Sequence, residues 1–199
     1  KPTKNKAVTE AEPVAAPGMN ELTLMADQSG SDKGSAKHRY SELYHMLFNP
    51  FRGRKITFLE MGLMAGGPEW GVDADRDTST PPSIQMWLNY FPKANVIGLD
   101  VSDFSAFETD RFKFFQCDMD DLANINQTAT EMPDSDIILD DASQADKHHR
   151  DGYRERFHKR TTAGLYVRGD LRGQHQEYDT TRPAIDKTAQ CLRADSATM

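Results

Sequence analysis

Ile56-Thr57-Phe58-Leu59-Glu60-Met61-Gly62-Leu63-Met64-Ala65-Gly66-Gly67 decides how the rest of the chain is read. Lys55–Met61 carries Ile56, Phe58 and Leu59 and reads as a short buried strand that runs straight into a glycine-rich turn, Gly62–Gly67. Downstream, Ser83 reads as the cap of a helix over Ile84–Phe91 that Pro92 closes, and a second apolar run, Val96–Leu99, ends at Asp100. The alternation then continues. Arg111–Cys117 is strand-like, Asp120–Thr130 helical, and Asp136–Leu139 apolar up to Asp140 and Asp141; Ala145–His158 is a charged helix, and Gly164–Val167 a fifth strand ending near Asp170. Arg182–Leu192 fits a last helix, and upstream Tyr40, Leu43, Tyr44 and Leu47 mark one face of a helix over Ser35–Phe48, stopped by Asn49 and Pro50. Short apolar strands separated by helices predict an α/β fold, a doubly wound and mostly parallel sheet covered on both faces.

A chain of 199 residues is long enough for one domain and too short for two of ordinary size. A hydrophobic fraction of 37% is low, which places part of the length in polar tails. Lys1–Gly18, rich in Lys, Glu, Pro and Ala, reads as a disordered or loosely held arm, leaving residues 19–199 as a single domain. With 24 Lys+Arg against 31 Asp+Glu and no basic stripe, nucleic acid is excluded as an expected partner. Cys117 and Cys191 lack the spacing of a zinc or redox pair, no run is long and apolar enough for a membrane span, and a cytoplasmic protein is the expectation.

Ligands of doubly wound sheets bind beyond the carboxyl ends of the strands. Those ends carry Glu60, Asp100, Asp118, Asp140, Asp141 and Asp170. The first turn lacks the G-x-G-x-x-G spacing that brings a pyrophosphate onto a helix, and its E-x-G-x-x-x-G form suits a cofactor with an amino-acid tail and adenosine but no phosphate. Asp100 is placed to accept hydrogen bonds from two ribose hydroxyls; the plainer alternative is an ordinary turn with a solvated carboxylate.

Gly30-Ser31-Asp32-Lys33-Gly34, then His38, Tyr40 and Tyr44, then Phe58–Gly62, resemble a bacterial family of sugar O-methyltransferases that includes the macrocin and mycinamicin enzymes. The likeness continues through Ser83–Trp87, Tyr90-Phe91-Pro92, Ile97–Asp100, Asp140–Ser143 and Gly164–Val167, covering roughly residues 30–192. The resemblance implies a Rossmann-like methyltransferase sheet and S-adenosylmethionine held by Lys33, Tyr40, Glu60, Gly62, Gly66 and Asp140. It puts Asp100 on the ribose and Asp118 with Met119 near the adenine. It also implies Mg²⁺ on Asp141 and Asp170 and a small hydroxylated, sugar-like acceptor. The chemistry is coherent, since a metal ion that coordinates a sugar hydroxyl lowers its pKa and fixes it in line with the sulfonium methyl. The alternative for Asp140 and Asp141 is that they cap the following helix.

Three departures stand out. Gln144 occupies the place where the family has a histidine base, and an amide cannot accept that proton. His148, four residues further on, is the candidate substitute beside Asp141, unless it is a solvated surface histidine. Gly169 stands where the family has Glu, which removes a carboxylate and is expected to loosen the strand end that holds Asp170. Residues 171–199 show no final antiparallel hairpin, so the fifth strand is expected to be an exposed edge open to self-association. These departures keep alive a second function class, a catalytically impaired cofactor-binding protein or an interaction module of the same fold.

Overall fold

The computed structural model describes residues 19–36, 39–64, 71, 73, 75, 78–142 and 164–169. All of them lie in one compact unit that ends at Gly169. Gly66, His148, Asp170, Gln144, the Ala145–His158 and Arg182–Leu192 helices, the Lys1–Gly18 arm and the C-terminal hairpin question therefore fall outside the description.

Five parallel strands make one sheet: β1 (Thr57–Met61), β2 (Asn95–Asp100), β3 (Phe112–Gln116), β4 (Ile137–Asp140) and β5 (Leu165–Arg168), in the order β3-β2-β1-β4-β5. The chain is thus an α/β, doubly wound, Rossmann-like protein. Side-chain alternation along each strand explains why both faces need a cover. Phe58, Val96, Phe112, Ile137, Leu139 and Val167 point into one core with helices α1 (Glu21–Ser29), α2 (Tyr40–Phe48) and α3 (Pro82–Tyr90). Leu59, Met61, Ile97, Leu99 and Ile138 point into the other, against Ile125, Ala129 and Met132 of α4 (Leu122–Glu131) and its end. The first core is aromatic. Phe58 and Trp87 lie 4.7 Å apart, with Phe48 and Phe91 around them, contacts that add about 0.5–1.5 kcal/mol per pair beyond area burial.

The helix starts depart from expectation for local reasons. α1 is not anticipated by the apolar pattern, yet it has a complete set of ends: Asn20 accepts from the Thr23 N–H at 2.9 Å, and Gly30 closes it at φ 74°. α2 begins at Tyr40 and not at Ser35, because Arg39 sits in the left-handed region at φ 57° and the Asp27 carboxylate ties down the preceding turn through the Ser35 amide and hydroxyl. Ser83 is not the cap of α3. Pro82 starts the helix, a position where proline's missing N–H costs nothing, so the Ser83 side chain is free for another use. α4 starts after Asp121, whose carboxylate accepts from the Ala123 and Asn124 amides. No helix among the described residues is long and apolar enough to cross a membrane.

Candidate functional site

Strand order reverses between β1 and β4, and ligands of such sheets bind at that switch point. Alternation puts Glu60 on the same face as Phe58, toward α3, where it is fully buried. A buried carboxylate requires a partner. It has two. The Ser83 hydroxyl donates to Oε2 at 2.7 Å, and Lys33, from the turn after α1, brings Nζ to 3.2 Å from Oε1. The indole of Trp87 faces the same carboxylate without reaching hydrogen-bond geometry.

Lys33 Nζ also lies 2.6 Å from Oδ2 of Asp141, just past β4, and 3.6 Å from Asp32. Lys33 and Glu60 are buried, Asp141 nearly so, while Asp32 is exposed enough for solvent to screen it. Burial alone would lower the Lys33 pKa, but Glu60 and Asp141, with Asp32, overcome it and hold the ammonium well above its usual range. Burial also pushes the Glu60 and Asp141 carboxyls up, and Lys33 pulls both back. Tyr44 lies beside this network. Its hydroxyl has no hydrogen-bond partner, and burial, with the nearby Asp141 charge, raises its pKa.

Two glycines let these parts meet. At Gly62, φ is 77°, and a Cβ there would stand 2.7 Å from the Ala142 Cα and 2.8 Å from the Asp141 carbonyl oxygen. Gly62 therefore admits the chain leaving β4 as well as opening the first turn. At Gly169 a Cβ would overlap Oδ1 of Asp141 and stand 2.9 Å from its Cγ and 3.1 Å from the Tyr44 hydroxyl. The Gly169 N–H donates to the Asp140 carbonyl at 2.7 Å, continuing the ladder, and its missing side chain is the notch that Asp141 fills; the expected loosening around Asp170 lies outside the described residues.

The remaining candidates are spread along the same sheet edge. Asp100 is 5% exposed and accepts from the Leu63 amide at 2.8 Å and the Ser102 amide at 2.9 Å, so it organises the first turn from the next strand. Asp118 is exposed and accepts from the Asp120 amide, while Met119 packs against the α4 core. Asp140 accepts from the Tyr166 hydroxyl at 2.5 Å. Tyr40 packs on the aromatic core, 6.0 Å from Tyr44. Sequence reasoning did not find the Lys33–Glu60–Asp141 network, the Ser83 contact or the Tyr44 hydroxyl. The one available signal was the alternation that buries Glu60 and so demands a cation.

No family model matches the chain. A tetracenomycin-C 2'-O-methyltransferase acting on the 8-demethyl-8-alpha-L-rhamnosyl form, from Streptomyces olivaceus, is 31% identical over 85% of this chain and 42% of its own length. Over the part that it shares with them, this chain is similar to the macrocin- and mycinamicin-type sugar O-methyltransferases. Demethylmacrocin O-methyltransferase of Streptomyces fradiae is 30% identical over 79% of this chain and 37% of its own length. Mycinamicin VI 2''-O-methyltransferase of Micromonospora griseorubida is 28% identical over 76% of this chain and 36% of its own length. The crystal structure of the mycinamycin-pathway methyltransferase MycE with Mg and SAH superposes with a TM-score of 0.65 at 23% identity, covering 76% of this chain and 37% of that one, which establishes the shared fold. The chain spans about two fifths of the length of the curated relatives it matches.

Proposed function

We propose that this chain transfers a methyl group from S-adenosylmethionine to a hydroxyl of a small sugar-like or glycosylated acceptor, with Mg²⁺ assisting. The observation that carries the reading is Asp100, a buried carboxylate at the end of β2 that accepts from the amide of the first β1 turn. That arrangement ties the first turn to the acid that a ribose would meet. Gly62 and Gly66 are assigned to the amino-acid tail, Lys33, Tyr40, Glu60 and Asp140 to the walls around it, and Asp118 with Met119 to the border of the adenine. The named activities of the relatives support the reaction, and the MycE complex with Mg, SAH and mycinamycin VI supports the class of acceptor.

Asp141 and Asp170 are the proposed metal ligands. The carboxylates at this end of the sheet are hard oxygen donors, the type Mg²⁺ takes, and the buried Tyr44 hydroxyl beside Asp141 has no hydrogen-bond partner. Among the described residues, however, no cluster of three ligating side chains is assembled, and Asp141 is engaged by Lys33. When bound, the ion supplies the charge that lowers the pKa of the acceptor hydroxyl. His148 is the proposed proton acceptor.

A second reading, a cofactor-binding protein with impaired turnover, draws on Gln144 and on the closed Lys33–Asp141 pair. Calorimetric titration with S-adenosylmethionine tests the first step for both. Asp100→Asn keeps one accepting oxygen for the turn but removes the charge, and is expected to weaken binding by about tenfold or more, on the order of 1.5–3 kcal/mol for a charge-assisted bond. An unchanged dissociation constant would remove Asp100 from the ribose.

A further inference from the structure

Lys33 is held as a metal ion would be. Its ammonium contacts Asp141, Glu60 and Asp32 at 2.6, 3.2 and 3.6 Å and is itself 3% exposed; its two nearest carboxylates come from β1 and from the end of β4, on either side of the switch point. Asp141 can turn toward it only because residue 169 has no side chain, since a Cβ there would occupy the position of Oδ1. The Tyr44 hydroxyl, buried and without a hydrogen-bond partner, faces the same notch at 3.1 Å from that hypothetical Cβ.

From this we infer that Lys33 is an internal cation that competes with a divalent metal for Asp141. With the lysine in place, Oδ2 of Asp141 is taken and Oδ1 is folded over Gly169, so the carboxylate serves as a counter-ion. A metal recruits Asp141 only when the Lys33 pair opens and the carboxylate leaves the notch. Lys33 is then a positioning residue that sets metal affinity, and Gly169 is the feature that makes the parked state possible. The inference rests on the reading of Asp141 as a metal ligand.

Two substitutions shift the competition by different routes. Lys33→Met deletes the rival charge but leaves Glu60 and Asp141 uncompensated, while Gly169→Ala keeps every charge and evicts Asp141 from the notch. The measurement is the dissociation constant of Mn²⁺, read by electron paramagnetic resonance of the free ion with the full chain at neutral pH and no acceptor. Circular dichroism reports folding in parallel. Removing a unit positive charge a few ångströms from a divalent ion is expected to tighten Mn²⁺ by about tenfold or more, and Gly169→Ala is expected to tighten it in the same direction. If Lys33→Met does not fold, Gly169→Ala decides alone. Unchanged or weaker Mn²⁺ binding in the folded variants overturns the competition. Asp141→Asn separates the two failures. If it abolishes binding while the other variants stay at wild-type affinity, Asp141 is a ligand and Lys33 is no rival; if it binds Mn²⁺ as the wild type does, the ligand reading falls and the competition falls with it.

Discussion

Gly62→Ala is the perturbation whose magnitude follows most directly from the geometry. At φ 77° any side chain carries the left-handed penalty, roughly 1–2 kcal/mol. The new Cβ would also meet the Ala142 Cα at 2.7 Å, the Asp141 carbonyl at 2.8 Å and the Ala142 nitrogen at 2.9 Å. All three are backbone atoms on the neighbouring strand's exit and cannot rotate away. Overpacking of this kind adds about 1–3 kcal/mol, for a total of roughly 2–5 kcal/mol. In thermal denaturation that corresponds to a midpoint lower by roughly 4–20 °C for a chain of this size. Two other glycines separate the contributions. Gly30 has φ 74° and nothing within 4 Å of the place a Cβ would take, so Gly30→Ala carries strain alone. Gly98 has no positive φ, but its Cβ would meet the ends of the Leu63 and Phe112 side chains at 2.8 and 2.9 Å, so Gly98→Ala carries crowding against groups that can give. The expected order of loss is Gly62→Ala greatest, with the other two smaller. A Gly62→Ala midpoint no lower than that of Gly30→Ala would refute the close approach of the β1 turn to the β4 exit.

Lys33→Met is expected to cost about 3–5 kcal/mol at neutral pH, the usual result of leaving buried charge unpaired. Its pH dependence has a definite sign: Glu60 and Asp141 already lie above the ordinary carboxylate range through burial, with Lys33 pulling them down, so losing the lysine raises them further. A raised acid is most stable protonated, and its stability falls as pH climbs from the unfolded to the folded pKa; urea midpoints of variant and wild type should therefore converge in acid and part toward neutrality, and parallel curves would be contrary. For the wild type, the Lys33 contribution is complete below its ordinary value of 10.5 and lost only at higher, strongly alkaline pH, which alkaline unfolding will locate. Chelation with EDTA is expected to abolish methyl transfer while sparing most cofactor affinity, and full turnover without residual metal would remove the metal from the reaction. Gln144→His is expected to raise the turnover number on a sugar acceptor, by up to about 10²-fold, with little change in cofactor affinity; no change with acceptor demonstrably bound would favour the non-catalytic reading.

The parts of this fold that were legible are those written in short-range pattern. Short apolar runs and terminal acids located the five strands to within a residue or two, and Asn49-Pro50 located the end of the helix before β1. What failed was local competition for the same signal. Ser83 has cap chemistry, but two prolines precede it and set the start themselves, and Asp121 outranks Asp120 because only its carboxylate reaches the next two free amides. α1 was missed because its nine residues bury only Leu22, Thr23 and Ala26, too sparse an apolar face to register, although Asn20 and Gly30 mark both of its ends.

The candidate site was legible as a set of acids but not as a circuit. Glu60 and Asp141 could each be placed at a strand end from sequence, and a ligand at such an end was the natural inference. Which acid faces solvent and which is buried depends on what covers the sheet, and that cover is supplied by α1 and the turn after it, the element that the pattern did not reveal. Once Leu22 and Ala26 seat α1 on the aromatic core, the turn that follows carries Lys33 down onto Glu60, and the lysine can reach Asp141 from the same position. Glu60, the expected cofactor contact, is thereby also the anchor of a buried cation. The same step changes the meaning of Gly169. Judged from sequence it is a lost carboxylate, whereas beside Lys33 it is the space that lets Asp141 supply the counter-charge. A carboxylate restored at position 169 would therefore have to displace Asp141 from Lys33, so Gly169 and the Lys33–Asp141 pair have to be understood as one unit.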